Sequence, residues 1–175
     1  MKTILITGGT GMAGRALTKA LLAQGHHVII MSRNKKETNN PQLSMAAWNV
    51  EQQTIDADAI SRADYIIHLA GAGVADKRWT AARKKEIADS RVRSGELLVK
   101  ALGEIPNKVK AVVSASAIGW YGPDPSVPNP QPFTEDAPPH TDFLGQTCLQ
   151  WEQSTEPIAA MGIRLAKLRI GIVLS

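Results

Sequence analysis

The segment from Thr7 to Gly14, with the sequence TGGTGMAG, constrains the fold of this chain more than any other. It follows the apolar run Ile4–Ile6, which predicts a buried strand, and it precedes a helical pattern over Arg15–Gln24. A strand, a glycine-rich turn and a helix in this order predict a βαβ unit that binds a dinucleotide. The alternative interpretation is a glycine-rich turn that holds no ligand.

The glycines of this turn have separate predicted roles. Gly8 and Gly9 allow the tight turn, and Gly11 lets the backbone approach a pyrophosphate. Gly14 lets the helix pack closely on the strand. The start of the helix adds free N–H groups and the positive end of a dipole. We therefore predict that one set of turn residues contacts the cofactor: Gly8, Thr10, Gly11, Met12 and Gly14.

Length and composition predict one globular domain over residues 1–175. The net charge of +4 is mild, and no stripe of basic residues interleaved with aromatic residues occurs, which argues against nucleic acid as a partner. Cys148 is the single cysteine, so an internal disulfide is excluded and a reducing, cytoplasmic compartment is expected. No segment approaches the roughly 18 apolar residues of a membrane span. No cluster has the spacing of metal ligands.

Short apolar runs alternate along the chain with longer amphipathic stretches. The strands predicted after the first one are His27–Met31, Met45–Trp48, Tyr65–Leu69, Val109–Ser114 and Lys167–Val173. The later helices are predicted over Trp79–Leu102 and over Phe143–Met161, the second one kinked or restarted at Pro157. This alternation predicts an α/β fold, a doubly wound parallel sheet with both faces covered.

The segment Gly122–Pro139 holds seven prolines and has no apolar periodicity. A loop of this length inside a compact domain is typically either functional or disordered. It follows the predicted Val109–Ser114 strand, and ligands of such sheets bind beyond the carboxyl ends of the strands. We therefore predict a lid, with a simple spacer as the alternative.

The end of the predicted second strand indicates which nicotinamide cofactor binds. A site for NAD typically carries an acidic residue about 20 residues beyond the glycines, where it binds the ribose hydroxyl. This chain has Ser32, Arg33, Asn34, Lys35 and Lys36 there instead. Ser32 and Arg33 can hold a 2′-phosphate, which favours NADP. The alternative is that Arg33 and the lysines form a solvated loop.

The chain also resembles a known family. TGGTGMAG matches the TGxxGxxG pattern of the extended short-chain dehydrogenases/reductases, the NAD(P)-dependent epimerase/dehydratase group, and the rest is similar to the atypical branch often labelled "epimerase family protein". The segments that carry this resemblance are Met31–Arg33, HLAGAGVADKRW (68–79), KKEIADSR (84–91), SASAIGWYG (114–122), Phe143–Leu144 with Trp151–Glu152, and LRIGIVLS (168–175). The resemblance implies an NAD(P)-binding Rossmann fold whose C-terminal substrate subdomain is missing here.

The resemblance also implies further cofactor contacts. Leu69 and Ala70 would lie beside the adenosine half of the cofactor, and small residues such as Gly71 would let it approach the backbone. Glu86 would accept from ribose or adenine donors, and Arg91 would meet phosphate. From the residues alone, both would be exposed helix charges. Ordinary packing of strand and turn is the alternative for the small residues.

Members of this group use a Tyr-x-x-x-Lys pair together with a Ser or Thr. The tyrosine exchanges a proton, the lysine lowers the pKa of that tyrosine, and the hydroxyl binds the reacting oxygen. This chain contains no Tyr-x-x-x-Lys, and the alignment through Glu152 places Leu144 and Cys148 at those positions. Ser116 matches the family hydroxyl, and Ser114 is the alternative on the same face of the strand, counted here with the cofactor contacts.

Two functions follow as hypotheses. In the first, Ser116 and Tyr121 are catalytic in an NADP-dependent oxidoreductase or epimerase that acts on a small hydroxylated substrate such as a nucleotide sugar. In the second, the chain is a non-catalytic NADP-binding sensor or scaffold, because the Tyr-Lys pair is absent. Tyr121 can equally belong to a packing turn. The resemblance also implies a homodimer through the helices that begin near Trp79 and Phe143.

Overall fold

A single seven-stranded sheet organises the described residues, 1–34 and 37–173, of the computed structural model. The strands are β1 (Thr3–Thr7), β2 (His27–Ser32), β3 (Leu43–Asn49), β4 (Thr54–Ile55), β5 (Tyr65–His68), β6 (Ala111–Ala117) and β7 (Arg164–Ile170). The helices are α1 (Met12–Ala23), α2 (Ala57–Arg62), α3 (Ala81–Glu104), α4 (Phe143–Thr155) and α5 (Pro157–Ala160), and a 3₁₀ turn covers Ile118–Tyr121. Lys35, Lys36, Leu174 and Ser175, which the sequence motifs include, lie outside the described residues.

The strand order is β4-β3-β2-β1-β5-β6-β7, and every pair except β3 with β4 is parallel. The chain moves from β1 outwards through β2 and β3 and then returns to the other side of β1 with β5. Crevices beyond the carboxyl ends of strands at such a reversal are where sheets of this type bind ligands. Thr7 is in register with Met31 on one side and with His68 on the other, so the strand ends are level there.

Helices cover both faces of the sheet, as the alternating pattern predicted. On one face, α1 packs through Leu17 and Leu21 against Ile4 and Ile30. On the other face, residues of α2, α3 and α5 pack against the opposite side chains of the same strands, among them Ile60, Leu98, Ile158, Leu5 and Ile66. Burying these aliphatic side chains supplies the main driving force for folding, about 1.5–3 kcal/mol for each of them.

The structure corrects several predicted element boundaries. The last strand is Arg164–Ile170 instead of Lys167–Val173, because its ladder with β6 begins at Ala111 and Arg164. β6 likewise starts at Ala111, after Val109, and continues to Ala117. The short β4 and α2 were missed, since two residues and six residues carry little periodicity. The last predicted helix ends at Thr155, and Pro157 restarts it as the first residue of α5.

Side-chain caps account for three of the helix starts. Asp56 accepts a hydrogen bond from the Ala59 N–H, Thr80 begins α3 in the same way, and Asp142 begins α4. The carboxylate oxygen of Asp142 lies 2.8 Å from the Gly145 nitrogen. That hydrogen bond is the main reason that the pKa of Asp142 is lowered.

A buried hydrogen-bonded chain of three side chains joins the central strands to α3. The Thr7 hydroxyl lies 2.7 Å from Nδ1 of His68, and the Ser94 hydroxyl lies 3.3 Å from Nε2. The Thr7 hydroxyl also accepts from the N–H groups of Leu69 and Ala70. Burial lowers the pKa of His68 to about 4, so the ring is neutral at physiological pH.

This chain of bonds predicts a specific pH dependence of stability. Between about pH 6.5 and pH 4 the unfolded chain binds a proton at His68 while the folded protein does not, so the free energy of unfolding falls as the pH falls, by on the order of 3 kcal/mol in total. Urea unfolding across this range should show that His68→Gln flattens the slope. The matched variant His140→Gln, at an exposed histidine, should retain the slope of the unmodified protein; equal slopes in all three proteins would contradict the prediction.

Candidate functional site

The glycine-rich turn lies where β1 meets β5, and two of its glycines leave no room for a side chain. Gly8 has a φ of +71°, and a Cβ there would stand 2.8 Å from the carbonyl carbon of Leu69. A Cβ on Gly14 would stand 2.6 Å from the Cα of Gly9. The start of α1 therefore packs directly on the turn, and the turn packs directly on the end of β5.

The first turn of α1 presents its backbone N–H groups to the crevice. Its N-cap, Gly11, makes no side-chain cap, and the first turn contains no acidic residue. Thr10, Gly11 and Met12 are exposed. Uncapped N–H groups at the positive end of a helix dipole form a binding site for an anion, most often a phosphate. A diphosphate is therefore chemically suited to this position.

An arginine that the sequence reasoning missed stands beside the turn. Arg15, on the exposed side of α1, donates a hydrogen bond of 2.6 Å to the carbonyl oxygen of Thr10. It therefore braces the turn and adds a positive charge beside it. Its position directly after Gly14 was visible in the sequence, but only the helix geometry directs the guanidinium back towards Thr10.

Ser32 and Arg33 lie at the end of β2, on the adenosine side of the crevice for a ligand held by the turn. Ser32 is the last residue of the strand, and its hydroxyl accepts a bond of 3.3 Å from the Asn34 N–H. Arg33 is exposed, and within the described residues it makes no ion pair. This geometry fits the phosphate-binding role predicted for both residues.

On the other side of the turn, the segment after β5 is built from small residues. The N–H groups of Leu69 and Ala70 are fixed by Thr7, and a Cβ on Gly71 would stand 3.0 Å from Cζ of Arg91. The backbone at the end of β5 thus faces the crevice with little side-chain cover. This leaves room for the predicted contact with the adenosine half of the cofactor.

Arg91 is buried, which corrects its interpretation from the residues alone as an exposed helix charge. Its Nη1 donates to the carbonyl oxygens of Ala72 at 3.0 Å and Ile87 at 2.9 Å. Its guanidinium lies over the ring of Trp151, 4.8 Å from the centroid. Burial lowers the pKa of Arg91. The side chain therefore supports the segment after β5 from below.

Glu86 is exposed, as expected, and lies one turn before Arg91 on α3. It forms an ion pair of 2.7 Å with Arg83, and the hydrogen bond from Arg83 lowers the pKa of Glu86. Arg83 itself is buried, donates to the carbonyl oxygen of Gly73, and keeps a buried Nε with no hydrogen-bond partner in the described residues. Sequence reasoning missed Arg83, because its burial depends on how the segment before α3 folds over it.

Ser114 and Ser116 share one face of β6, and both are buried. Ser114 donates to the carbonyl oxygen of Ala115 at 3.3 Å. Ser116 donates a bond of 2.7 Å to Oε1 of Glu152 on α4. The Ser116 hydroxyl hydrogen is therefore engaged by Glu152. Ser116 can accept a hydrogen bond from a ligand, but it can donate one only if its bond to Glu152 breaks.

Leu144 and Cys148, which the family resemblance predicts at the positions of the Tyr-Lys pair, are close to the end of β6. A Cβ on Gly119 would stand 3.0 Å from Cβ of Leu144 and 3.8 Å from Sγ of Cys148. Burial raises the pKa of the Cys148 thiol, which donates a long bond of 3.6 Å to the Ala117 carbonyl. Neither of these two side chains supplies a cation.

A cleft of about 560 Å³ lies beside the end of β7, and we call it the β7 cleft. It is lined by Tyr121, Glu135, Glu152, Lys167, Leu168 and Arg169. Tyr121 stacks on Phe133 of the proline-rich loop, with ring centroids 5.1 Å apart. Arg169 donates to the Glu135 carbonyl oxygen, and the Trp120 indole donates to Ala137. The second half of the loop is therefore bound to the sheet.

Glu152 and Arg169 are functional candidates that sequence reasoning did not assign. Arg169 bonds Glu152 through Nε at 2.9 Å and through Nη2 at 3.3 Å. One sign was present in the sequence: Lys167 and Arg169 are two charges at alternate positions of the strand, so both point to one face. The distance of seventeen positions to Glu152 hides the pairing.

No group of three or more His, Cys, Asp or Glu side chains in the described part of the chain has the arrangement to hold a metal ion. No described helix combines the length and apolar character that crossing a membrane requires.

Comparisons with known proteins agree with this geometry. The model of the NAD dependent epimerase/dehydratase family matches residues 4–146. Epimerase family protein YfhF of Bacillus subtilis is 37% identical over 172 residues, which are 98% of this chain and 55% of YfhF. The chain thus spans about half the length of the curated relatives it matches.

Two solved structures are similar over nearly the whole chain. One is a nucleoside-diphosphate sugar epimerase from Corynebacterium glutamicum, with 33% identity, a TM-score of 0.78, and coverage of 99% of this chain and 34% of that one. The other is the human epimerase family protein SDR39U1 with NADPH, with 28% identity, a TM-score of 0.76, and coverage of 99% and 55%.

The packing of the turn predicts a difference between two glycine substitutions. Gly8 and Gly25 both have a positive φ, but a Cβ on Gly25 meets nothing within 4 Å. Gly25→Ala should cost about 1–2 kcal/mol of backbone strain, and Gly8→Ala should cost about 1–3 kcal/mol more, because it forces the turn away from Leu69. Urea unfolding measures both, and equal losses would show that the close approach is unimportant.

Proposed function

We propose, since this chain belongs to the NAD dependent epimerase/dehydratase family, that it binds NADP and serves epimerase or oxidoreductase chemistry on a small hydroxylated substrate. The observation that carries the proposal is the uncapped start of α1 at the reversal of the strand order. The proposal has three further parts: the substrate is a nucleotide sugar, the protein is located in the cytoplasm, and it forms a homodimer through α3 and α4.

The residues present fit a dinucleotide. The close packing of Gly8 and Gly14 brings the N–H groups of α1 near the surface of the crevice, where a diphosphate is compatible with their charge. Gly8, Thr10, Gly11, Met12 and Gly14 would hold the diphosphate. Leu69, Ala70 and Gly71 would contact the bound cofactor from the β5 side. Glu86 and Arg91 of α3 and Ser114 of β6 would add further contacts to it. When bound, the nicotinamide supplies or accepts a hydride.

NADP is proposed over NAD because of the charge at the end of β2. Ser32 and Arg33 offer a hydroxyl and an exposed guanidinium, and no acidic residue stands beside them in the described part of that segment to repel a 2′-phosphate. The similarity to the human epimerase family protein, whose structure contains NADPH, supports the same choice.

The nucleotide-sugar proposal rests on the similarity to the nucleoside-diphosphate sugar epimerase of Corynebacterium glutamicum. In this proposal Ser116 and Tyr121 act on the reacting oxygen of the substrate. Ser116 would have to exchange its bond to Glu152 for one to the substrate, and Tyr121 lines the β7 cleft with its hydroxyl.

A second function is favoured by one observation. By the family resemblance Leu144 and Cys148 stand where the tyrosine and lysine would act; Leu144 has no ionisable group, and burial raises the pKa of the Cys148 thiol. A protein that binds NADP without turning it over, as a sensor or scaffold, is compatible with that replacement.

The choice of cofactor can be tested by calorimetric titration with NADPH and NADH. Arg33→Ala should weaken NADPH binding by about 10- to 150-fold, the equivalent of roughly 1.5–3 kcal/mol for a charge-assisted hydrogen bond, and should leave NADH binding unchanged. Arg62→Ala is the matched control, because Arg62 ends α2 just before β5 begins, at the amino ends of the parallel strands and away from the end of β2. Equal effects on both cofactors would exclude a role for Arg33 in recognising the 2′-phosphate.

Catalysis can be tested with the longest form of the protein by following NADPH oxidation against sugar nucleotides and simple carbonyl compounds. If the enzyme proposal holds, Tyr121→Phe and Ser116→Ala should each lower turnover by about 100-fold or more while NADPH still binds. Tight NADPH binding with no turnover of any compound would favour the sensor or scaffold.

A further inference from the structure

Tyr121 and Arg169 form a tyrosine–cation pair at the edge of the β7 cleft. Nη1 of Arg169 donates a hydrogen bond of 3.0 Å to the phenolic oxygen of Tyr121. A guanidinium has donors and no acceptor, so the phenol accepts from Arg169 and keeps its own hydrogen for another partner. The phenolic O–H is therefore free to donate, and both side chains line the cleft.

The guanidinium is held on several sides, so the pair has a fixed geometry. Arg169 forks onto Glu152, and Ser116 donates to the same carboxylate. Cζ of Arg169 also lies 3.7 Å from the centroid of the Trp120 ring, where the cation and the ring attract each other. Arg169 thus arrives from β7, Glu152 from α4, and Tyr121 from the turn after β6.

Arg169 remains charged in this environment. Burial alone would lower its pKa, but the hydrogen bonds with Glu152 and Tyr121 outweigh that effect and raise the pKa of Arg169. A permanent cation beside a phenol favours the phenolate over the same phenol without a cation. Such a cation stabilises the phenolate that remains after a tyrosine donates its proton, and Leu144 and Cys148 of α4 supply none.

We infer that Tyr121 is the proton donor of the reaction and that Arg169 is its positioning residue, so that together they replace the tyrosine–lysine pair that α4 lacks. This inference rests on the proposed function. In the reduction of a carbonyl group, hydride from NADPH would add to the carbonyl carbon. The Tyr121 O–H bond breaks, the proton goes to the carbonyl oxygen, and the electron pair stays on the phenolate oxygen, which Arg169 holds. In the oxidation of an alcohol the same proton returns to Tyr121.

The substrate class follows from the charges around the phenol. Arg169 and Lys167 line the cleft from β7, Glu152 from α4 and Glu135 from the loop; His140, at the end of the loop, packs beside Gly122. Lys167 is paired with Glu156 at 2.6 Å, and Arg169 is paired with Glu152. No unpaired cation among these described residues remains for an anionic group, so the reacting part of the substrate is an uncharged carbonyl or hydroxyl group.

The test uses the fact that the chain contains two tyrosines. In a Tyr65→Phe background Tyr121 is the only phenol, so the phenolate absorbance measured across alkaline pH reports on it alone. Arg169→Gln should move the midpoint of this absorbance change upwards, because the cation that donates to the phenolic oxygen is lost. Arg169→Lys should restore most of the shift. Near-ultraviolet circular dichroism checks that each variant is folded.

Lys167→Gln is the matched control, since it removes a cation from the same face of the same strand. It should move the midpoint by clearly less than Arg169→Gln does. If Arg169→Gln does not fold, the double variant Glu152→Gln, Arg169→Gln removes both charges of the pair and should still move the midpoint upwards. An unchanged midpoint, or one that Lys167→Gln moves equally, would overturn the inference.

A second arm separates this inference from the proposed function. The variants are assayed for NADPH binding and for turnover of the carbonyl compounds that the unmodified protein accepts. Arg169→Gln should lower turnover by at least tenfold with NADPH affinity unchanged, and Arg169→Lys should recover part of it. If the unmodified protein binds no NADPH, the proposed function fails. If NADPH binds and Arg169→Gln leaves turnover unchanged, only the positioning role fails.

Discussion

The close approach of the glycine-rich turn to the end of β5 is the constraint on which the rest of the site depends. Gly8 can stand against the Leu69 carbonyl only because it lacks a Cβ, and Thr7 fixes the same backbone through its hydroxyl. His68 then extends this bonding to Ser94 on α3. The turn, β5 and α3 are thereby held as one unit, which keeps the N–H groups of α1 directed into the crevice.

Charges and hydroxyl groups buried beneath the crevice give the surrounding elements their relative positions. Arg91 on α3 bonds the segment after β5 and stacks on Trp151 of α4. Glu152, one residue further, receives Ser116 from β6 and Arg169 from β7. Removing one member of such a buried pair leaves an uncompensated charge, at a cost of about 3–5 kcal/mol, so these contacts restrict how α4 can pack.

The two halves of the candidate site differ in how far the family resemblance explains them. In the half built on the turn of α1 and the end of β2, Ser32 and Arg33 lie at the end of the strand, where the phosphate contact is proposed. In the other half Leu144 and Cys148 stand where the resemblance predicts the tyrosine and lysine, and Arg169 contacts Tyr121. In the proposed function the first half thus follows the family pattern, and the proton transfer would have to be supplied differently.

The sequence by itself determined the glycine turn, the alternation of layers and six of the seven described strands, because these depend on local periodicity and on residues adjacent in the chain. It missed the two-residue β4 and misplaced the start of β7, which depend on pairing between strands. It also predicted a phosphate contact at the end of β2, since that prediction needs only the position of Ser32 and Arg33 relative to the strand. Only the tertiary structure decided that Arg91 is buried, that Ser116 donates to Glu152, and that Arg169 meets Tyr121. These contacts join positions separated by 19 to 48 residues, and no local pattern records which distant partner satisfies a buried charge.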